Sequence, residues 1–234
     1  MEIKKVEFIN FLKKATMDGK QKVEETVLDF GKEGLKMNSN SKDKLARAMA
    51  QLKTGGFDKY EELGKVGIND IPNFIKVLGR FEEVLKIKQS GNVLEVKSGN
   101  KKAEIELVSE NLIKTDTGEP DLEFNDTFEI TSKVLKDIFS DVQINTDAQI
   151  IIKTEPKKVI FTNTGKYKFE NVIESETCKG GTEVKFGAPL IDALNNLDGT
   201  LEISVRSHYP MKVLEKTDNS AVTIIVAPMV AEEE

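Results

Sequence analysis

The sequence contains a single cysteine, a single histidine and no tryptophan among its 234 residues. Because Cys178 has no second cysteine to pair with, an internal disulfide is excluded, and a reducing compartment inside the cell fits best. No apolar run approaches the roughly 20 residues of a membrane-spanning helix, and the start MEIKKVEF lacks the apolar core of a secretory signal. We therefore expect an intracellular protein, in cytoplasm, nucleoid or nucleus, with no membrane partner.

Side chains that could carry catalysis are equally scarce. His208 lies in a predicted turn, where a solvated surface residue is a simpler interpretation than a general base. A Cys178–His208 pair would need a third group to orient it, and none can be identified. The tripeptide Asp29–Gly31 lacks the other kinase motifs, and TNTGKYK lacks the remaining residues of a phosphate-binding loop. With no metal-ligand spacing either, we expect no enzyme and no cofactor; a low-turnover hydrolase is the enzyme alternative.

The charge is acidic overall but unevenly placed. A net charge of −6 argues against a protein that simply coats nucleic acid. The predicted helices carry six basic residues against four acidic ones, a balance of +2 that leaves −8 for the rest of the chain. The basic residues are Lys13, Lys14, Lys76, Arg80, Lys133 and Lys136, and the acidic ones are Asp70, Asp137, Asp141 and Asp192. Such segregation bears on the choice of partner rather than on the fold.

The sequence also repeats its own pattern. A helical stripe followed by two short strands occurs around Phe11 and again around Leu135, 124 positions later, and the strand residue Leu28 is matched by Ile152 at the same spacing. The later half of each repeat recurs at a spacing of 116, with Phe74, Leu78, Phe81 and Ile87 matched by Leu190, Leu194, Leu197 and Ile203. Two copies of one pattern predict two similar domains and favour a duplicated binding or assembly surface over one catalytic pocket.

Hydrophobic periodicity predicts the elements of each repeat. The first helix is expected over Phe8–Thr16, and the second follows Asp70 as its N-cap. A strand is expected over Lys42–Lys53, with one face formed by its alanines and leucine. Each repeat is then strand-rich with two helices on one sheet face, an α+β architecture. The expected domains are residues 1–110 and 126–234, joined by a polar connector over 111–125.

Three of the four helices present a basic stripe opposite their apolar one. Asn73, Lys76 and Arg80 lie at i, i+3 and i+7, and Lys133 and Lys136 repeat the first part of that spacing. A stripe of this kind is commonly just the solvated face of a helix. Its recurrence in a duplicated acidic protein favours a surface that faces phosphates.

Several segments resemble the sliding clamps of the proliferating cell nuclear antigen (PCNA) family. The segment EPDLEFNDTFEITSKVLKDIF is similar to the connector, first strand and helix of that family's second domain, GFDKY to a short turn, and YPMKVLEKTDNSAVTIIVAPM to the final hairpin. These segments occur in the family's order over nearly the whole chain. The resemblance implies two clamp-fold domains, each with two helices on the inner face of a sheet, assembling into a ring.

The resemblance further implies a DNA polymerase processivity factor that encircles double-stranded DNA without reading its bases. Lys13, Lys14, Lys76, Arg80, Lys133 and Lys136 would face the DNA. Three identical copies would join through the strand near Lys101–Leu112 of one and Lys166–Ser175 of the next. Partners would be DNA polymerase, the clamp loader and other proteins that carry a peptide motif, in replication and repair.

Those peptides would bind a surface formed by ten residues: Asn40, Leu45, Arg47, Pro120, Leu122, Pro210, Ile225, Ala227, Pro228 and Met229. Asn40 and Arg47 depart from the Met and Leu that the family usually has, and Glu119 replaces an apolar residue, so we expect a less apolar pocket and weaker binding. The alternative function is a checkpoint-type or scaffold ring subunit that binds partner peptides without a processivity role. A further alternative for the apolar residues is that they only close the core of the second domain.

Overall fold

The chain divides into two compact units in the computed structural model, which describes residues 1–18, 23–114, 118 and 120–229. The first unit comprises Met1–Gly118 and Thr217–Val222, and the second comprises Glu119–Lys216 and Thr223–Glu234. Within the described residues there are four α-helices and sixteen strands, the α+β composition expected from the sequence. The expected domain limits stay a prediction; residues 115–117 and 119 of the connector lie outside the described residues.

In its described residues the first unit contains eight complete strands and two helices. In chain order they are β1 (Glu2–Lys4), α1 (Lys5–Ala15), β2 (Thr26–Gly31), β3 (Gly34–Asn40), β4 (Ala46–Lys53), β5 (Gly64–Ile68), α2 (Ile71–Leu78), β6 (Val84–Ser90), β7 (Val93–Ser98) and β8 (Lys101–Glu106). Short 3₁₀ turns follow β4 at Thr54–Gly56 and β8 at Glu110–Leu112. The strands pair in the orders β1-β6-β7-β8 and β5-β2-β3-β4, so β8 lies at the edge of its sheet.

The second unit repeats this order of elements. They are β9 (Asp126–Thr131), α3 (Ser132–Gln143), β10 (Ile150–Glu155), β11 (Lys158–Asn163), β12 (Glu170–Glu174), β13 (Glu183–Phe186), α4 (Ala188–Leu194), β14 (Thr200–Val205), β15 (Met211–Lys216) and β16 (Ser220–Val226). β12, β11, β10 and β13 form one sheet in that order, with β12 at an edge, while β14 pairs with both β9 and β15. The predicted duplication is therefore present in the order of elements and in the strand pairing.

Two of the helices, α2 and α3, begin at a residue whose side chain caps the first turn. Asp70 accepts a hydrogen bond from the Asn73 backbone N–H at 3.0 Å, as expected for the N-cap of α2. Thr131 caps α3 in the same way through the backbone N–H of Val134. Pro72 and Pro189 lie in the first turns of α2 and α4, where a missing N–H costs no hydrogen bond.

The buried stripes confirm the expected core faces. In α1 the buried residues are Phe8, Phe11, Leu12 and Ala15, and in α3 they are Leu135, Ile138, Phe139 and Val142. In β4 every second residue from Ala46 to Leu52 is buried, as the alternation predicted. In the first unit, α1 packs on β3 and β4 and against α2, where the rings of Phe8 and Phe74 meet edge to face at 6.4 Å.

Three sequence expectations need correction. α1 begins at Lys5 rather than Phe8, and β4 begins at Ala46 because residues 41–45 form a turn. The stripes of α1 and α3 coincide at a spacing of 127, so Leu135 matches Phe8 rather than Phe11. The strand spacing of 124 holds, because Leu28 and Ile152 are both buried at the same point of β2 and β10.

Candidate nucleic-acid interface and partner-binding surface

The four predicted DNA-facing residues of the first unit lie on, or directly after, two helices that pack against each other. Lys13 and Lys14 are half-buried in the last turn of α1, where a positive charge is favourable near the helix C-terminus. Lys76 is exposed in the last turn of α2, and Arg80 is exposed just after it. The four predicted DNA-facing residues of this unit therefore come from one helix pair.

The cap of α2 also orients one of these cations. Asp70 Oδ2 accepts a hydrogen bond from Asn73 Nδ2 at 2.7 Å, and Asn73 Oδ1 accepts one from Lys76 Nζ at 3.4 Å. Beyond the helix, the backbone carbonyl of Arg80 accepts a hydrogen bond from Lys101 Nζ at 2.9 Å. Lys76 is thus connected through Asn73 to the capping residue at the start of α2, and Lys101 contacts the backbone just beyond its end.

The two predicted DNA-facing residues of the second unit both lie on α3. Lys133 is exposed. Lys136 is half-buried and lies 3.5 Å from Asp198 Oδ1, whose own backbone N–H donates to the buried carboxylate of Glu215 at 2.9 Å. The ammonium group of Lys136 therefore already faces a carboxylate of its own unit.

The helix bounds allow the charge on the helices to be counted separately for each unit. α1 and α2 carry four lysines and one glutamate, a net charge of +3. α3 and α4 carry two lysines and three aspartates, a net charge of −1. The +2 balance over all four helices equals the expected number, although Lys5 and Glu7 take the places of Arg80 and Asp70 in the count, and it comes entirely from the first unit.

Three of the predicted partner-binding residues belong to the first unit. Leu45 is 44% exposed at the end of the turn before β4, and its backbone N–H donates to Asp43 Oδ1 at 3.0 Å. Asn40 ends β3 and is paired with Arg47 of β4; both are half-buried. The turn thus presents one apolar side chain beside two polar ones.

The other seven predicted residues belong to the second unit. Pro120 is exposed, and Leu122 and Pro210 are half-buried. Next to Leu122, the ring of Phe124 meets that of Tyr209 edge to face at 6.1 Å, and the Asn125 backbone N–H donates to the Val205 carbonyl at 3.1 Å. These contacts bring residues 122–125 close to the turn that contains Pro210.

The segment after β16 is held against β13. The Met229 backbone N–H donates to the Lys185 carbonyl at 2.8 Å, and its side chain lies next to Gly187. Met229 remains 42% exposed, and Ile225, Ala227 and Pro228 are half-buried. This arrangement leaves apolar side chains accessible at the end of the described chain.

Sequence reasoning missed two features of these surfaces. Lys5 Nζ donates to the Phe81 carbonyl at 2.7 Å, which adds a cation near the end of α2; it was missed because the helix was expected to start at Phe8. Arg206 lies over the Tyr209 ring, 5.2 Å from its centre, and 3.7 Å from Glu123. The apolar-polar alternation used to find strands carries no signal for this contact.

The two residues considered for catalysis lie in different environments. His208 is exposed in the turn between β14 and β15, as predicted. Cys178 is buried, and burial raises the pKa of its thiol, which disfavours the reactive thiolate. In the part of the chain that the structure describes, no group of three acidic, histidine or cysteine side chains could hold a metal ion. None of the helices described there is long and apolar enough to traverse a lipid bilayer.

No protein-family model matches the sequence, and no curated protein sequence matches it. The fold, however, is similar to that of several solved PCNA structures. The structure of A. fulgidus PCNA bound to the C-terminal region of FEN-1 matches with a TM-score of 0.86 at 16% identity, over 99% of this chain and 98% of that one. The PCNA2–PCNA3 complex of Sulfolobus tokodaii gives 0.79 at 19% over 97% and 98%, and PCNA of Entamoeba histolytica gives 0.81 at 17% over 98% of both chains. The clamp fold implied by the sequence resemblance is confirmed.

Proposed function

We propose that this chain is a DNA polymerase sliding clamp, a processivity factor that encircles duplex DNA, tethers replication and repair proteins, and catalyses no reaction itself. The observation that carries the proposal is the match of both units, over nearly the whole chain, to PCNA structures. Fold alone does not specify function, so the helix charges and the exposed apolar residues supply the rest of the argument.

The ring would consist of three copies joined head to tail. β8 and β12 each lie at the edge of a sheet, and edge strands present unpaired backbone groups that favour pairing with another chain. Pairing β8 of one copy with β12 of the next is a heterologous contact, which closes into a ring when the rotation permits. PCNA2 and PCNA3 of Sulfolobus tokodaii form a complex with each other, which supports assembly between copies of this chain.

The duplex would pass beside the helices. Lys13, Lys14, Lys76, Arg80, Lys133 and Lys136 would contact phosphates without reading bases, which permits sliding. Because three copies carry a total charge of −18, three times −6, this attraction must be local, and free DNA should bind weakly. A protein that acts on chromosomal DNA in this way works inside the cell, in the cytoplasm or nucleoid, or in the nucleus.

Partners would dock through short peptides. A. fulgidus PCNA binds the C-terminal region of FEN-1, which supports a peptide-binding role for the same fold here. Candidate contacts are Leu45 with Asn40 and Arg47 in the first unit, and Pro120, Leu122, Pro210, Ile225, Ala227, Pro228 and Met229 in the second. The proposed connector over 111–125, between domains 1–110 and 126–234, contributes two of these.

Retention on circular DNA tests the proposal directly. The protein is diluted until its copies dissociate, concentrated again in the presence of nicked circular plasmid so that rings assemble around the DNA without a loader, washed at high salt, and compared with the same plasmid linearised. A ring held by topology stays on the circle and slides off the linear molecule, whereas a protein held by charge is lost from both. Sedimentation of the free protein should give the mass of three chains; a monomer, or equal loss from both plasmids, contradicts the proposal.

A further inference from the structure

We infer that the two units contribute unequally to the DNA contact: phosphates are held by the helices of the first unit, and the equivalent positions of the second unit do not attract them. This inference rests on the proposed function, because it requires a duplex beside these helices. It follows from the internal repeat, which allows each basic residue of one unit to be compared with its structural counterpart in the other.

α1 and α3 are equivalent at a spacing of 127. At that spacing all four buried residues of α1 fall on the four buried residues of α3. Lys13 then corresponds to Ser140, and Lys14 corresponds to Asp141. The two cations in the last turn of α1 are therefore replaced by a neutral residue and an acidic one.

α2 and α4 are equivalent at a spacing of 116. Phe74, Ile75 and Leu78 of α2 match Leu190, Ile191 and Leu194 of α4, and all six are buried. Lys76 then corresponds to Asp192, and Arg80 corresponds to Asn196. At these two positions as well, the cations of the first unit are replaced in the second unit, one by an acidic residue and one by a neutral residue.

The lysines of α3 do not compensate for these changes. Lys133 and Lys136 correspond to Val6 and Ile9 of α1, so they occupy a different part of the helix surface from Lys13 and Lys14. Lys136 in addition lies 3.5 Å from the carboxylate of Asp198. An exposed ion pair of this kind is weak, but it places a negative charge where a phosphate would have to approach.

Four equivalent positions therefore carry a charge of +4 in the first unit and −2 in the second. Phosphate binding releases counterions in proportion to the number of cations in contact. The four positions of the first unit therefore contribute favourably to the free energy of DNA binding, and those of the second unit do not. In a closed ring, attracting and repelling helix pairs would alternate around the channel. The duplex would then lie against the first-unit helices rather than along the channel axis.

The decisive test adds charge to the second unit. The variant D141K/D192K restores lysines at the positions equivalent to Lys14 and Lys76, and its binding to a fluorescent duplex is measured by anisotropy over a range of salt concentrations. We expect tighter binding and a slope of log K against log[salt] steeper by about 0.9 for each new phosphate contact. The matched control E129K/E202K makes the same charge change on exposed, neighbouring residues of β9 and β14, and should give little of this gain.

Two double substitutions that remove lysines complete the test. K13A/K76A and K133A/K136A remove the same number of charges, and the first pair should weaken binding about tenfold or more beyond the second, with a shallower salt slope. Equal losses from the two pairs, or equal gains from D141K/D192K and its control, would overturn the inference while leaving the proposed clamp intact. A parent protein that fails to stay on circular DNA would instead contradict the proposed function itself.

Thermal melting and sedimentation verify that every variant folds. If D141K/D192K does not fold, D141N/D192N replaces it and is expected to give a smaller gain in binding.

Discussion

Asp126 and Thr154 form a buried hydrogen bond, 2.6 Å between Oδ2 and Oγ1, that joins the first strand of the second unit to β10. Oδ2 also accepts from Thr182 Oγ1 at 2.8 Å, and Oδ1 accepts from the backbone N–H groups of Lys179 and Gly180. One carboxylate thus connects two strands and the loop before β13. Burial alone would raise the pKa of Asp126, but the four hydrogen bonds together outweigh it and lower the pKa below its usual value.

The first prediction is an acid-dependent stability carried by Asp126. Because its folded-state pKa lies below the unfolded value of about 3.9, the carboxylate stabilises the fold above that pH, and this contribution is lost as the pH falls through the folded-state pKa. Asp126→Asn should remove this part of the pH dependence and lower the free energy of unfolding at neutral pH by at least about 2 kcal/mol, since buried donors lose their acceptor. Urea unfolding at several pH values measures both effects.

A matched control is available in the same strand. Glu129 is exposed, so Glu129→Gln should change the free energy of unfolding by no more than about 0.5 kcal/mol. If both variants unfold alike across the acid range, the Asp126 network contributes nothing specific.

The second prediction concerns the loop between β11 and β12. Asn145 Nδ2 donates to the Tyr167 carbonyl at 2.7 Å, and the Tyr167 N–H donates to Asn145 Oδ1 at 2.8 Å. Gly165 has a φ of +119°, and a Cβ there would lie 2.7 Å from Asn145 Cγ. Gly165→Ala should therefore both strain the backbone and displace Asn145 from the loop.

The variant Gly199→Ala measures the cost of backbone strain without a steric contact. Gly199 has a φ of +70°, and a Cβ added there would meet nothing within 4 Å, so its substitution should cost only the backbone term of about 1–2 kcal/mol. Gly165→Ala should cost more than this in the free energy of unfolding, as measured by urea denaturation. Equal losses would show that the contact with Asn145 relaxes freely.

Local patterns predicted much of this fold because they depend on neighbours in the sequence. The stripe of α2 and its Asp70 cap lie within nine residues of each other, and both were predicted. The 127 spacing of the helices was not, because the connection from α1 to β2 has ten residues and that from α3 to β10 has six, and loop length is only weakly constrained. β1 was missed because it has three residues, too few for a period, and pairs with β6 far along the chain.

At the candidate site too, local patterns were predicted from the sequence and contacts between distant residues were not. Periodicity placed Lys76 and Lys136 on polar helix faces, where the structure has them. It could not predict that Lys136 faces Asp198, because that residue lies 62 positions away in the sequence. The charge asymmetry between the units, in contrast, is already contained in the sequence count, which gives +3 for the first two predicted helices and −1 for the last two.

The third prediction tests assembly through edge strands. Lys166 and Lys168 precede β12, and Glu104 and Glu106 lie on β8, so opposite charges would meet between copies. K166E/K168E should weaken self-association by about tenfold or more, because like charges would then face each other. Adding E104K/E106K to the same chain should restore it. Sedimentation over a dilution series measures the change; no rescue by the combined variant argues for a different pairing.

The last prediction concerns partner peptides. Leu45 and Met229 are apolar yet 44% and 42% exposed, and a few buried anchors supply most of the affinity when a peptide fills an apolar groove. A peptide with a Gln followed by spaced aliphatic and aromatic anchors should bind the parent protein. L45D/M229D should weaken that binding at least about thirtyfold, because a charge under an apolar anchor cannot be solvated. The control V134D adds one such carboxylate, half the charge change, at an equally exposed valine of α3 outside the proposed docking residues, and should leave calorimetric affinity unchanged. Both variants should keep the parent's solution mass, so peptide binding that survives L45D/M229D in an intact assembly would place the docking site elsewhere.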